Sequence, residues 1–461
     1  MHRQDIHSVF RRTCALRILP LLGCLLARSS PGFAQQVHED PPIPQTDHTH
    51  DQTGAVPTLV RDASGTAWLP DLTPMYGFHR EISGWQFMLH GNAFAQFLYE
   101  SGEEHRRSRQ AGSINWMMGM ATRSVGKGRF GLRTMISLEP WTIRGCGYPN
   151  LLATGEVCRG DTIHDLQHPH DLFIELAATY DGSLTKSIRW QVYAGPAGEP
   201  ALGPPGFPHR LSAFPNPVAP ISHHWLDATH ITFGVVTTGI YGRRWKAEAS
   251  AFNGREPDAA RANLDLAPFD SFAGRLWLAP TERLTLQVST GRLHEAEAGV
   301  GSQPRTDVTR VTASATYHRR FGADAFVATT AAYGRNAKLS LIPGAALEER
   351  THAGLVETSA AFGDRQTWFG RLEFVGKPAH DLHVHEFITM IFPVGKLQAG
   401  YVRHLRAWKG LLPGIGGTFA VTVVPPLLAP RYGGQIAPGL GVFLALRPTE
   451  EDSAAHHPSL P

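Results

Sequence analysis

Cysteine is scarce and unevenly placed. Of four in 461 residues, Cys14 and Cys24 fall within the first 34, leaving Cys146 and Cys158 as the one remaining pair. That excludes a disulfide-dense scaffold and any four-cysteine metal site. An excess of one charge is missing too, with 43 Lys+Arg against 40 Asp+Glu. The first 34 residues hold five of those Arg against Asp5, so the rest carries 38 basic and 39 acidic residues. A chain so balanced has no electrostatic footprint for nucleic acid. No run of about eighteen apolar residues is free of breakers, which excludes a membrane-spanning helix. The nearest candidate, Leu411 to Pro430, is interrupted by Pro413, Gly414, Gly416, Gly417, Pro425 and Pro426. No Gly-x-Ser-x-Gly elbow with His and Asp in order and no phosphate-binding Gly-Lys loop occurs, so serine hydrolysis and nucleotide chemistry have no support.

Gly (47) and Pro (34) are plentiful, while 42% hydrophobic residues with 18% charged exceed what a disordered chain carries. A folded protein rich in turns is expected. Residues 1–34 read as a cleaved export signal, with a basic region ending at Arg17, a short apolar core from Ile18 to Ala27, and Gly32-Phe33-Ala34 before Gln35. Leu21-Leu22-Gly23-Cys24 offers the competing reading of a lipidated Cys24. In an exported chain Cys146 and Cys158, in a stretch of Gly, Pro and Asn, are expected to close a loop as a disulfide.

From Trp85 onward the pattern alternates with period two. Trp85, Phe87, Leu89, Ala93, Ala95, Phe97 and Tyr99 occupy one face against Gln86, His90, Asn92 and Gln96. Trp245, Ala247, Ala249 and Ala251 oppose Lys246, Glu248 and Ser250, and Leu284, Leu286 and Val288 oppose Thr285, Gln287 and Ser289. These are two-faced strands, and roughly sixteen such segments of about ten residues can be placed. The polar faces carry charges of both signs mid-strand, among them Arg133, Glu175, Arg189, Arg275, Arg371 and Glu373, and aromatics sit at strand ends. A hydrated barrel interior and an interfacial belt produce both features, so the expected fold is all-β: a single closed antiparallel transmembrane barrel over 83–448. A soluble sandwich or propeller is the alternative. Residues 35–82 read as a flexible His- and Pro-bearing extension, 449–461 as a polar tail, and 195–230 as a long Pro-rich loop able to fold inward and constrict the barrel.

The chain has 24 His, and several are grouped. His168-Pro169-His170-Asp171 leads into the strand at Leu172, and His223, His224 and His230 lie at the end of the long loop. Imidazoles with nearby carboxylates suit copper or zinc, so these five His are the candidate ligands, and Asp171, Glu199 and Asp227 the candidates to orient their rings. Binding there should weaken as pH falls through about 6, where protons compete for the ring nitrogens. The alternative is a hydrogen-bonding network that holds the loop. His38, His48 and His50, with Asp40, Asp47 and Asp51, form a looser tract in the extension. His209 and Arg210 of the long loop, and Asn253, Arg255, Glu256 and Asp258 after the strand Trp245 to Ala251, are expected to face the lumen or a ligand. The last group reads equally as a turn closed by Arg255 on Glu256 or Asp258.

His168-Pro169-His170-Asp171, the stretch Gly195 to Pro204, His223-His224, Asp227-Ala228-Thr229-His230 and Asn253 to Asp258 resemble a family of Gram-negative outer-membrane barrels. Members are commonly encoded beside periplasmic copper oxidases and heavy-metal efflux systems, and the family has no established activity. The resemblance spans roughly Ser83 to Arg292 and implies outer-membrane lipid as the surroundings and a link to copper. Relatives often carry a Met- and His-rich amino-terminal segment; here it is poor in Met. The expected role is a passive channel or binding barrel, with copper, zinc or a small solute as ligand. A metal-assisted outer-membrane hydrolase and a purely structural barrel are the alternatives.

Overall fold

The computed structural model describes residues 61–450 apart from 104–105, 299–303, 323–324, 343–344 and 364. The expected export signal, the His38/His48/His50 tract and nearly all of the polar tail lie outside the described residues.

Strands dominate. In chain order they are β1 (Phe78–Ile82), β2 (Trp85–Glu100), β3 (Ser108–Val125), β4 (Gly128–Ile136), β5 (Tyr148–Cys158), β6 (Asp161–Gln167), β7 (Phe173–Ser183), β8 (Arg189–Ala197), β9 (Val235–Tyr241) and β10 (Trp245–Phe252). There follow β11 (Ser271–Thr281), β12 (Leu284–Glu297), β13 (Thr306–Phe321), β14 (Ala325–Ile342), β15 (Ala345–Phe362), β16 (Gln366–Pro378), β17 (Ile391–His404), β18 (Leu411–Val423) and β19 (Ile436–Pro448). Sixteen of them, β2–β4 and β7–β19, pair antiparallel with their neighbours in turn, and β19 pairs with β2 from Gly439↔Glu100 to Leu446↔Ala93. The sheet therefore closes on itself and leaves no edge. Leu411–Val423, the segment rejected above as a membrane helix, is one of these strands.

The faces sort as the alternation requires. Leu276 and Val288 are 55% and 52% exposed on the outside, whereas Arg275 and Gln287 beside them are 1% and 2% exposed. Trp245 likewise points outward and Lys246 inward. Apolar residues fully exposed to water around a whole barrel would cost about 25 cal/mol per Å², so this belt is built for lipid. Connections alternate in length. Chain reversals such as 126–127, 242–244 and 282–283 are tight at one end, while 137–172, 198–234, 253–270 and 379–390 are long at the other.

Much of the lumen is filled. The connection expected over 195–230 runs from 198 to 234, because β8 extends to Ala197 and β9 begins at Val235. It crosses the barrel and is tied to the wall strand by strand: Ala201 N–H donates to Ser250 of β10, Gly203 N–H to Ser289 of β12, and Ser212 to Thr330 of β14. Trp225 donates to Thr351 of β15, Ser222 to Glu373 of β16 and Asn216 to Gln398 of β17. The hairpin β5–β6 is also buried, and Cys146 and Cys158 are joined by a disulfide, Cα atoms 5.8 Å apart.

Residues 61–82 are not a flexible extension. Residues 61–69 form a tight turn, with Ala63 N–H donating to Ala67 O and Leu69 N–H to Arg61 O. It sits in the lumen where Arg133 donates to Gly65 O (2.8 Å) and Arg275 to Thr66 Oγ1 (3.1 Å). Gly65 has φ +54°, and a Cβ there would lie 2.7 Å from that of Glu199, so the turn requires glycine. β1 then pairs with the start of β2, Ile82↔Trp85 to Phe78↔Leu89, beside the seam where β19 leaves off. Period-two reading missed this segment because its buried surface comes from a turn.

Candidate metal centre

Two connections at the long-loop end deliver the histidines. His168 and His170 lie between β6 and β7, and Pro169 keeps the backbone extended so that both rings enter the same space. His223 and His224 open a one-turn helix, His223–Leu226, and His230 ends the 3₁₀ turn that follows it.

His168, His223 and His224 converge, with one ligand nitrogen of each within 4.8 Å of the others. His230 adjoins them, ring centre 5.1 Å from His223, and His170 lies 5.4 Å from His230. All five expected ligands thus form one buried cluster, of which three share a single point.

Each ring is anchored through one nitrogen. His223 Nδ1 is 2.9 Å from Asp227 Oδ1, His224 Nδ1 is 3.0 Å from Glu256 Oε1, and His230 Nδ1 is 2.7 Å from the Asp227 carbonyl. His168 Nδ1 faces its neighbour's carbonyl at 3.3 Å. The opposite nitrogens Nε2 of His168, His224 and His230 are buried and make no hydrogen bond. A buried polar atom without a partner costs on the order of 1–3 kcal/mol unless something satisfies it. Carboxylate or carbonyl on Nδ1 with Nε2 open is the arrangement of metal-ligating imidazole. Glu156 adds an oxygen 3.3 Å from His168 Nε2.

Protonation fits as well. Burial, with the Arg261 charge adding to it, holds His168 well below the ordinary histidine range. Burial outweighs the Asp227 carboxylate at His223 and brings it to about 4, and His230 is lowered too. Burial would also lower His170, but Glu139, 2.8 Å from its Nδ1, more than offsets it and leaves that ring above its usual value. His170 is therefore an ion-pair partner of Glu139, whereas His168, His223 and His230 are held neutral with lone pairs available.

Two of the three carboxylates expected to orient rings do other work. Asp171 accepts from Arg261 at 3.2 Å, and Glu199 from Arg275 at 3.2 Å beside residues 61–69. Burial raises both to about 7 against the pull of those arginines. Only Asp227 touches a ring as expected. Glu256, expected to face the lumen or a ligand or to close a turn with Arg255, holds His224, and Glu139, which no nearby histidine in the sequence signals, holds His170. Arg255 pairs with Glu295 at 2.5 Å, Asp258 N–H donates to Asp265, and buried Asn253 donates to the Phe233 and Asp265 carbonyls. The Asn253–Asp258 stretch is thus a fixed turn with one ring-orienting side chain. Arg210 pairs with Asp227 and Glu357, and His209 lies apart, its ring 4.9 Å from that of Trp116.

The packing round His224 is close. Gly155, at φ +114°, lies where a Cβ would be 2.3 Å from the imidazole. A recess of about 50 Å³ adjoins it, lined by Glu156, Glu256, Glu297 and Asp381. That volume accommodates a few waters or an ion and no larger ligand.

No family model and no curated protein matches the chain. Solved structures with similar folds include an anion-selective porin from Comamonas acidovorans, 12% identical, TM-score 0.48, covering 79% of this chain and 99% of that one. OmpF of Salmonella typhi in complex with daunomycin is 7% identical, TM-score 0.48, covering 80% and 100%. The outer-membrane channel DcaP of Acinetobacter baumannii is 9% identical, TM-score 0.43, covering 81% and 100%.

Proposed function

We propose that this chain is an outer-membrane barrel that binds a divalent copper or zinc ion inside its lumen, on His168, His223 and His224. The observation that carries the reading is the convergence of three buried imidazoles, two of them held through Nδ1 by Asp227 and Glu256. An ion about 2.0–2.1 Å from each nitrogen would draw the rings slightly inward and leave a fourth position, which Glu156 or water can fill. The apolar outer belt, full closure, and long loops at one end with tight reversals at the other support the outer membrane.

A passive channel is the second reading. The inward charges favour it, but residues 61–69 and 198–234 occupy the lumen, so passage requires the crossing segment to move. The recess that reaches His224 holds about 50 Å³, too little for a substrate beside the ring, which speaks against the hydrolase reading.

Zn(II) titration of the folded full chain tests the proposal. Wild type should bind one ion that the His168→Ala/His223→Ala variant does not. Asp227→Asn, which leaves all ligands in place, should weaken binding about 10–100-fold by releasing the His223 ring. Equal binding by wild type and the double variant would assign the metal to the His38/His48/His50 tract and overturn the reading.

A further inference from the structure

Methionine is rare, eight in 461 residues, yet five of the eight gather at one place. On the lumen side of β2 and β3 the register sets Met88 directly opposite Met120 and His90 directly opposite Met118. Directly opposed residues hold their Cβ atoms about 4.5–5.5 Å apart. On β4, Met135 is opposite Met118 and its sulfur is 3.3 Å from His209 Nε2. Met75 closes the group from the amino-terminal segment. A cavity of about 380 Å³ is lined by Met75, Met88, Met118, Met120, His90 and His209. It also reaches the exposed Arg80 and Glu81, at the tight-turn end.

Methionine fills irregular cores, and Met118 and Met135 do pack with Trp116 and Ile174, but Met75, Met88, Met118 and Met120 also line the cavity. The imidazoles add to the case. His90 Nε2 is buried without a hydrogen bond, and the two rings are 5.7 Å apart. Thioether sulfur with imidazole nitrogen is a soft donor set, which hard or borderline divalent ions do not prefer.

We infer that this cavity is a second metal site, independent of the three-histidine set, that takes a soft monovalent cation, Cu(I), on the Met88, Met118, Met120 and His90 side chains with Met75 and His209 over them. The crossing segment contributes to both sites, His209 to this one and His223 and His224 to the other.

The test is anaerobic Cu(I) titration of the full chain against a competing chelator, with X-ray absorption of the bound copper. Wild type and His168→Ala/His223→Ala should both bind Cu(I) with sulfur in the coordination shell. Met118→Leu/Met120→Leu keeps side-chain volume and should lose affinity at least tenfold and lose the sulfur signal, while Zn(II) binding is retained. Met88→Leu, a milder change at the rim of the cluster, should show a smaller loss in the same direction. Unchanged Cu(I) affinity in the folded leucine variants, a shell of nitrogen alone, or no binding by wild type would overturn the site.

Discussion

Arg210 Nε lies 2.7 Å from Glu357 Oε1 with both side chains buried, so a charge on the segment crossing the lumen is pinned to a charge on the wall of the barrel. The same guanidinium reaches Asp227, whose other oxygen holds His223. One arginine therefore links the closure of the lumen to the geometry of the histidine cluster.

Removing Arg210 leaves Glu357 to Arg371 but strands the buried Asp227 carboxylate, and an unpaired buried charge costs about 3–5 kcal/mol. Arg210→Ala should therefore loosen residues 198–234, raise single-channel conductance in planar bilayers above a nearly closed wild type, and lower the melting temperature. A variant that conducts and melts like wild type would show that the segment is held by its other contacts alone.

Zn(II) affinity should hold steady from about pH 7.5 down to about 5.5. Burial brings His223 to about 4 and keeps His168 low, so protons compete for these two rings only as pH falls through that lower range, not near 6 as the sequence alone suggests. The sign for stability agrees: His223 takes up a proton below about 6.5 when unfolded but only near 4 when folded, so its cost to stability grows as pH falls through that range. A binding midpoint near 6.5 would mean that the rings are open to water.

Leu276→Arg places a charge on the outward face and should destabilise the refolded barrel in lipid by about 2–4 kcal/mol if that position is near mid-membrane. Gln287→Asn, on the inward face, should cost far less. Chemical denaturation in bilayers measures both, and equal costs would contradict the assignment of faces.

The barrel was legible because period-two alternation is a local property: Trp245 outward and Lys246 inward follow from the pleat once one face is apolar. The long loop was legible as an interruption in that rhythm, and its histidines by their grouping. Asp171 and Glu199 were misassigned because each is claimed by an arginine on a distant strand or loop, Arg261 and Arg275, which nothing in the neighbouring sequence indicates. Residues 61–69 were misread because a turn buried against lumen charges resembles a linker until the barrel surrounds it.

By itself, then, the sequence determined the strands, their faces, the outward apolar belt and the residue types able to hold a metal. Only closure of the sheet decided which of them meet. Register across β2, β3 and β4 brought Met88, Met120, His90, Met118 and Met135 together, and two connections from separate hairpins folded into one lumen to join His168 with His223 and His224. Periodicity acts between neighbours along the chain, whereas those contacts span tens to hundreds of residues and exist only after loop-closure entropy has been offset by the whole barrel.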